Sequence, residues 1–355
     1  MLTLAAGSAS AGIISSASAS TKYLTVAQAN AQYNAASAKI TWNGPTVPAT
    51  APPSESVAII TCPLSLEGCA VATNGVKAAD AALGWTSTVY EASTNYGAQF
   101  NTALTANPTV IITIGFPAAA LPSVGLATAK SKKIPIVDIN GNCAIGPTGC
   151  DASQSFSEKK MGRLQGLALM VLEKGNVRLL SYIDNELSDG FANNKFTIAW
   201  LRTHDKGFKL ENQTTFVGAQ VGPTLASMTV ADIRKHPTAN SLLTPYDPIA
   251  GIQVPAIQAA GLGSKIAVVS NIGLTQNLQW VAQGHIQKAD VANELDWTAW
   301  AAIDLAIRLL DGTPTVAENV PLKIMNKTNA PANGAWNDDG VPYQAKYEAL
   351  WGIKK

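Results

Sequence analysis

The sequence predicts an α/β chain folded as two lobes, each built on a parallel β-sheet with helices between its strands. Three observations carry this. Short, β-rich apolar runs start about every 25 residues with helix-compatible stretches between them, the pattern of βαβ units. The pattern occurs twice in succession, each time at the scale of about five strands. Finally, 355 residues with 47% hydrophobic side chains can bury more than one substantial core.

The first set begins at Ser56, with strands expected at 57–61, 86–91, 109–114 and 134–139 and helices at 71–83, 96–105 and 121–132. Val57-Ala-Ile-Ile-Thr61 and Thr109-Val-Ile-Ile-Thr-Ile114 are short apolar runs rich in β-branched residues, as buried strands require. The second set opens with an amphipathic helix at 157–174 and the strand Val177-Arg-Leu-Leu-Ser-Tyr-Ile183. Strands follow at 209–217, 241–244, 265–270 and 286–292, and helices at 189–203, 225–235, 249–260 and 274–283. Ligands of open parallel sheets sit at the carboxyl ends of the strands, so two such lobes frame a cleft.

The ends differ in texture. Residues 1–20 are uncharged, rich in Ala, Ser and Leu, and contain Ala17-Ser18-Ala19, a small-x-small cleavage pattern. We read them as the remnant of a secretory signal, a merely flexible N-terminus being the plainer alternative. Residues 21–55 form an N-terminal extension whose run from Gly44 to Pro53 is a semi-extended, Pro-rich linker rather than a fold element. In the tail, 330–355, the spacing of Trp336, Tyr343, Tyr347 and Trp351 predicts packing back onto a lobe, with a partner contact as the alternative.

Charge excludes several functions. Lys and Arg total 25 against 24 Asp and Glu, a net charge of +1, which provides no field for nucleic acid and no polybasic membrane patch. No apolar run reaches the roughly 20 residues of a membrane-spanning helix. The four cysteines form two pairs of equal spacing, Cys62 with Cys69 and Cys143 with Cys150. Two small disulfide loops account for them, each contributing about 2 kcal/mol. A four-cysteine zinc site is the sharper alternative but prefers shorter spacings, so no metal is expected. Persistent disulfides imply an oxidising compartment.

Three stretches carry a resemblance. They are the run from Ser241 through Thr244-Pro-Tyr-Asp247 to Ala260-Gly261, the run from Ala289 through Trp297 to Leu310-Asp-Gly312, and Lys133-Ile-Pro-Ile-Val-Asp-Ile-Asn140. In order and spacing they resemble the type I periplasmic binding proteins, in particular the ribose-like solute-binding proteins of ABC importers, over about residues 56–326. The resemblance implies two Rossmann-like lobes joined by three hinge crossovers. One lobe would hold 56–153 with 294–312, the other 154–293 with 313–329. Such proteins close on a ligand by hinge motion. Repressors share the architecture but place a helix-turn-helix before it, where this chain has its Pro-rich linker.

The family's ligand-contacting positions fall, by the same resemblance, on Leu66 and Glu67 after the first strand and on Asn140 and Asn142 after the fourth. In the second lobe they fall on Asn185, Tyr246, Asp247 and Asn271, and at the hinge on Asn293 and Trp297. The family's Asp-Arg pair is replaced by Asn140-Gly141, and its Arg by Asp189-Gly190. Amides and carboxylates remain without an obvious guanidinium, which points to a small neutral or weakly polar solute, sugar or polyol ahead of a less polar or aromatic one. Plainer roles stand beside these: a helix N-cap for Asp247, a turn for Asn140, a hinge position for Asn293, solvent exposure for Glu67 and core packing for Trp300.

No His-Glu-x-x-His, Gly-x-Ser-x-Gly or phosphate-cradling loop is present, so neither catalysis nor a cofactor is expected. The expectation is an exported, monomeric solute-binding protein acting in the periplasm or at the cell surface, without direct membrane insertion. It would deliver its ligand to an ABC permease. A receptor ectodomain and an exported enzyme are the competing readings.

Overall fold

The computed structural model describes residues 23–115, 120–141, 143–186 and 193–353, with Asn193 described by its backbone alone. Residues 1–20, expected to be a signal remnant, Asn142 and the Asp189-Gly190 pair fall outside these residues.

Two sheets organise the chain. The first has the order β2-β1-β3-β4-β5 and is parallel throughout. Its strands are β1 (Ser56–Thr61), β2 (Thr86–Glu91), β3 (Val110–Ile114), β4 (Ile136–Ile139) and the short β5 (Ala152–Gln154). β3 and β4 are buried at every residue and β1 at all but its first, because helices cover both faces of the sheet. β2 lies at the edge, so Thr86-Ser-Thr-Val-Tyr-Glu91 is only partly buried and its polar residues are tolerated. α2 (Glu67–Leu83), α3 (Tyr96–Thr105) and α4 (Ser123–Ser131) connect these strands.

The second sheet runs β11-β10-β9-β8-β6-β7. It comprises β6 (Arg178–Asp184), β7 (Lys209–Phe216), β8 (Ser241–Leu243), β9 (Ala267–Ile272), β10 (Gln287–Asn293) and β11 (Leu322–Asn326). Only β11, at the edge, is antiparallel to its neighbour. Its helices are α5 (Glu158–Leu172), α6 (Asn193–His204), α7 (Pro223–Lys235), α8 (Asp247–Ala259) and α9 (Thr275–Gln283).

The core chain passes between the sheets three times: from β5 into α5, from β10 into α10 (Leu295–Asp311), and from α10 back to β11. α10 packs on α2, β4 and β5, so all of it from Trp297 to Arg308 is buried in the first lobe.

Two terminal helices add to what the sequence announced, and the tail packs back onto a lobe as its aromatic spacing implied. The extension contains a helix, α1 (Val26–Ser37), opened by a Thr25–Gln28 capping box and packed on α5 and β11. Its alanine-rich sequence has almost no apolar periodicity, and tertiary packing of Ala29 and Tyr33 stabilises it instead. The tail folds into α11 (Tyr343–Leu350), whose Tyr343 and Tyr347, with Trp351, join the core of the first lobe.

Candidate functional site

The carboxyl edges of the two sheets come together at the Glu67–Thr275 contact, and the side chains there are set by the turns that leave each strand. In the first lobe β1 runs straight into a disulfide ring, Cys62–Cys69, with Cα atoms 5.7 Å apart. The ring includes the first turn of α2, so Leu66, at the N-cap position, stands out at 46% exposure and Glu67 points outward beside it. β4 ends at Asn140, held with φ 55° and with its Oδ1 buried and without a hydrogen-bond partner. The second ring, Cys143–Cys150, follows. Asp138 fastens this turn from below, accepting bonds from the Gly141 and Cys143 amides at 3.1 and 3.2 Å and from the Ser153 hydroxyl at 2.9 Å. Burial pushes the Asp138 carboxyl up while these donors pull it down.

In the second lobe four turns converge. The Tyr246 hydroxyl donates to Asp184 Oδ2 at the end of β6, 2.6 Å away. Burial, reinforced by the adjoining Asp184 and Glu186 carboxylates, holds this phenol well above its ordinary range. Asn271, fully buried, donates its Nδ2 to the Pro245 carbonyl at 2.7 Å and keeps Oδ1 without a partner. Asn293, 5% exposed at the end of β10, has an unpaired Nδ2. Asn185 is exposed, its amide bonded to the Phe216 carbonyl.

Asp247 stands elsewhere than the resemblance implies. It is fully buried, and its Oδ2 accepts the Gly273 and Leu274 amides at 2.9 and 2.8 Å, so it holds the β9–α9 turn in place. The Asp290 carboxyl lies beside it, and burial together with the Asp247 charge pushes Asp290 well up from its ordinary range. Trp297 is likewise absent from the cleft. It is fully buried between Trp42 and Tyr343, with ring centroids 5.5 and 5.1 Å away and planes within 7°. The extension and the tail, not a ligand, cover its faces.

Glu67 joins the lobes directly. Its Oε1 accepts the Thr275 amide at 3.0 Å and the Thr275 hydroxyl, bringing the starts of α2 and α9 together. Sequence reasoning missed Thr275 and Asp184. Asp184 was readable as a carboxylate directly ending an apolar strand, whereas a threonine opening a helix carries no signal of a cross-lobe partner.

The sequence segments that follow these strands also share a charge property. Residues 62–66, 92–95, 115–122, 140–149, 185–192, 217–222, 244–246 and 273–274 contain no lysine or arginine. Among the described residues no group of His, Cys, Asp and Glu could hold a metal ion. A shallow groove between α7 and α8, lined by Ala226, Val230, Arg234 and Ala256, lies between outer helices and not at the carboxyl edges.

A family model described as a periplasmic binding protein domain matches residues 57–314. No curated protein sequence matches the chain. Solved structures do. GanP, a glucose-galactose binding protein from Geobacillus stearothermophilus, is 18% identical, with TM-score 0.67 over 78% of this chain and 99% of its own. A periplasmic solute-binding protein from Actinobacillus succinogenes 130z with bound D-allose is 16% identical, with TM-score 0.67 over the same shares, 78% and 99%. The 5-methylthioribose transporter solute-binding protein from Thermotoga lettingae TMO, in complex with 5-methylthioribose, is 17% identical, with TM-score 0.69 over 87% of this chain and all (100%) of its own. At these identities the likeness is one of fold.

Proposed function

The chain belongs to the periplasmic binding protein family, and from that premise we propose that it is the solute-binding component of an ABC importer, working outside the cytoplasm on a neutral sugar or polyol. One observation carries the choice of solute: Asn140, Asn271 and Asn293 each keep a buried amide atom without a protein partner at the carboxyl edge of a sheet. A buried amide left unpaired costs about 1–3 kcal/mol, so these positions favour a ligand that brings hydroxyls rather than an apolar one. The absence of lysine and arginine from the sequence segments that follow these strands disfavours phosphorylated and acidic solutes, which need charge compensation on burial. Three relatives by fold are described with a hexose or thiopentose ligand, which agrees with this reading.

Function then follows from differential binding. A solute that contacts Asn140 on one lobe and Asn271 on the other is fully bound only when the lobes approach, so it shifts the open–closed equilibrium. The Glu67–Thr275 bond forms part of the approached state. The closed particle would present itself to a permease as a monomer. No helix among the described residues is long and apolar enough to cross a membrane.

A thermal-shift screen tests the proposal with D-glucose, D-galactose, D-allose, 5-methylthioribose and glycerol against glucose 6-phosphate, amino acids and benzoate. Ligand bound only by the folded state raises the melting temperature by mass action. A shift confined to neutral polyhydroxyl compounds, with the compound recovered unchanged, is expected. A shift with benzoate or the phosphate alone would overturn the solute class, and chemical turnover would overturn the binding role.

A further inference from the structure

The two terminal segments lie outside the family match at 57–314, and both run from the second lobe to the first. α1 is anchored on the second lobe: Asn326 and Asn329 donate to the Ser37 hydroxyl and carbonyl at 3.3 and 2.9 Å. Two residues after Ile40, Trp42 is stacked on Trp297 in the first lobe. The tail repeats the course. Gln279 donates to the Asn333 carbonyl at 3.0 Å, and Gly334 lies so close to the start of α9 that a Cβ there would stand 2.2 Å from the Thr275 carbonyl oxygen. Beyond Gly340 the tail enters the first lobe through Tyr343, Tyr347 and Trp351.

The segments are fastened to each other where they cross. The Asp339 carboxylate receives the Lys323 ammonium of β11 at 2.6 Å, the Ile40 amide of the extension at 2.8 Å and the Trp336 indole at 3.3 Å. Lys323 is 3% exposed, so this junction is a buried ion pair. Its neighbour Asp338 faces Glu294, the N-cap of α10, at the crossover from β10, and burial with the Glu294 charge pushes its carboxyl up to about 9. Asp338, Asp339 and Gly340 all have positive φ, 55°, 54° and 81°, so the backbone turns sharply there.

We infer that the extension and the tail form a strap across the hinge that limits how far the lobes can separate, with Asp339 as its fastener. The reason is tether length. From Ile40, tied to the second lobe through Asp339, to Trp42, stacked in the first, the chain can span only about 7 Å. From Asp339 to Tyr343 it can span only about 14 Å. These tethers lie beside the β10–α10 crossover and add two passages to the family's three. Rotation about this edge is therefore allowed, whereas opening that draws the edge apart must break the Lys323–Asp339–Ile40 junction or the Trp42–Trp297 stack. The inference rests on the two-lobed fold and is independent of which solute binds.

Spin labels on Val124→Cys in the first lobe and Val221→Cys in the second test it, since both positions are exposed, at 77% and 42%, and all four native cysteines are in disulfides. In the unliganded chain the distance between labels is measured by pulsed electron resonance. The parent should give one population. Inserting Gly-Ser-Gly-Ser after both Thr41 and Gly340, two exposed positions, lengthens the tethers and leaves the surrounding side-chain contacts in place. A second, longer population should then appear. Lys323→Met with Asp339→Ala, which removes both charges together, should produce the same population. An unchanged distribution in either folded variant overturns the strap. Loss of fold in both also overturns it, because the segments would then be core rather than restraint.

Discussion

Arg308 and Asp304 form an ion pair one turn apart within α10, Nε to Oδ2 2.6 Å, with side chains 1% and 0% exposed. Each partner reaches outward as well. Arg308 also donates to the Val47 carbonyl of the extension at 2.7 Å, and Asp304 Oδ1 accepts the Trp351 indole of the tail at 2.8 Å. A charge pair inside a helix of the family core thus holds both terminal segments. Removing one partner leaves the other charged and buried. We expect Arg308→Met to cost about 3–5 kcal/mol in urea unfolding, and Arg308→Met combined with Asp304→Leu to cost less than that single change. A double variant less stable than Arg308→Met would show that the pair itself, not its completion, supplies the stability.

Asp80 makes stability fall as pH rises. It is 1% exposed on α2, and burial, partly offset by Ser87, raises its carboxyl to about 7. The folded state therefore holds a proton that the unfolded chain releases near pH 4. This group's contribution is complete below about pH 4 and is lost as pH rises through about 7, a change of the order of 2–4 kcal/mol. Glu318, raised by burial and the Asp304 carboxylate to about 9, acts in the same direction at higher pH. Asp80→Asn should flatten the melting temperature between pH 5 and 8 relative to the parent. An equal slope in both chains would exclude Asp80 as the source.

Much of the fold was legible because it depends on periodicity. β2 is found at the expected 86–91 and α3 at 96–105, and most other core elements shift by only one to three residues. The termini were less readable for physical reasons. α1 has too little apolar patterning to announce a helix, and β5, Ala152-Ser-Gln154, is three residues with one hydrophobic side chain. At the site, residue type was a better guide than role. Asn271 and Asn293 stand at their strand ends, but whether Asp247 faced ligand or backbone depended on the amides of Gly273 and Leu274, 26 and 27 positions away. Trp297 was misplaced because its cover, Trp42 and Tyr343, comes from segments outside the family pattern.

Opening the Cys62–Cys69 ring should act on both stability and the cleft. The ring closes a separation of seven residues and contains Glu67, which reaches Thr275 in the other lobe. In the chain-entropy model so short a loop contributes about 2 kcal/mol. Cys62→Ala with Cys69→Ala should lower the urea midpoint accordingly and also weaken solute binding, because Glu67 loses its fixed start. The same change at Cys143 and Cys150 releases no cross-lobe bond among the described residues and should lower the midpoint alone. Isothermal titration on both pairs separates the effects. Equal affinity losses would show that ring integrity, not Glu67, matters.

Asn271 ties ligand recognition to the architecture of the second lobe. One end of its amide holds the Pro245 carbonyl at 2.7 Å, which sets the turn carrying Tyr246, while Oδ1 remains available. Asn271→Asp keeps an acceptor but loses the donor to Pro245; Asn271→Leu loses both. If Oδ1 contacts the solute, Asn271→Leu should weaken binding by about 10–100-fold, equivalent to one buried hydrogen bond plus its unpaired partner. Tyr246→Phe breaks the bond to Asp184, and because that hydroxyl already has a protein acceptor we expect a smaller loss, under about 10-fold. Titration of the solute identified by the thermal screen gives the order. A larger effect at Tyr246 than at Asn271 would shift recognition from the strand-end amides to the aromatic turn.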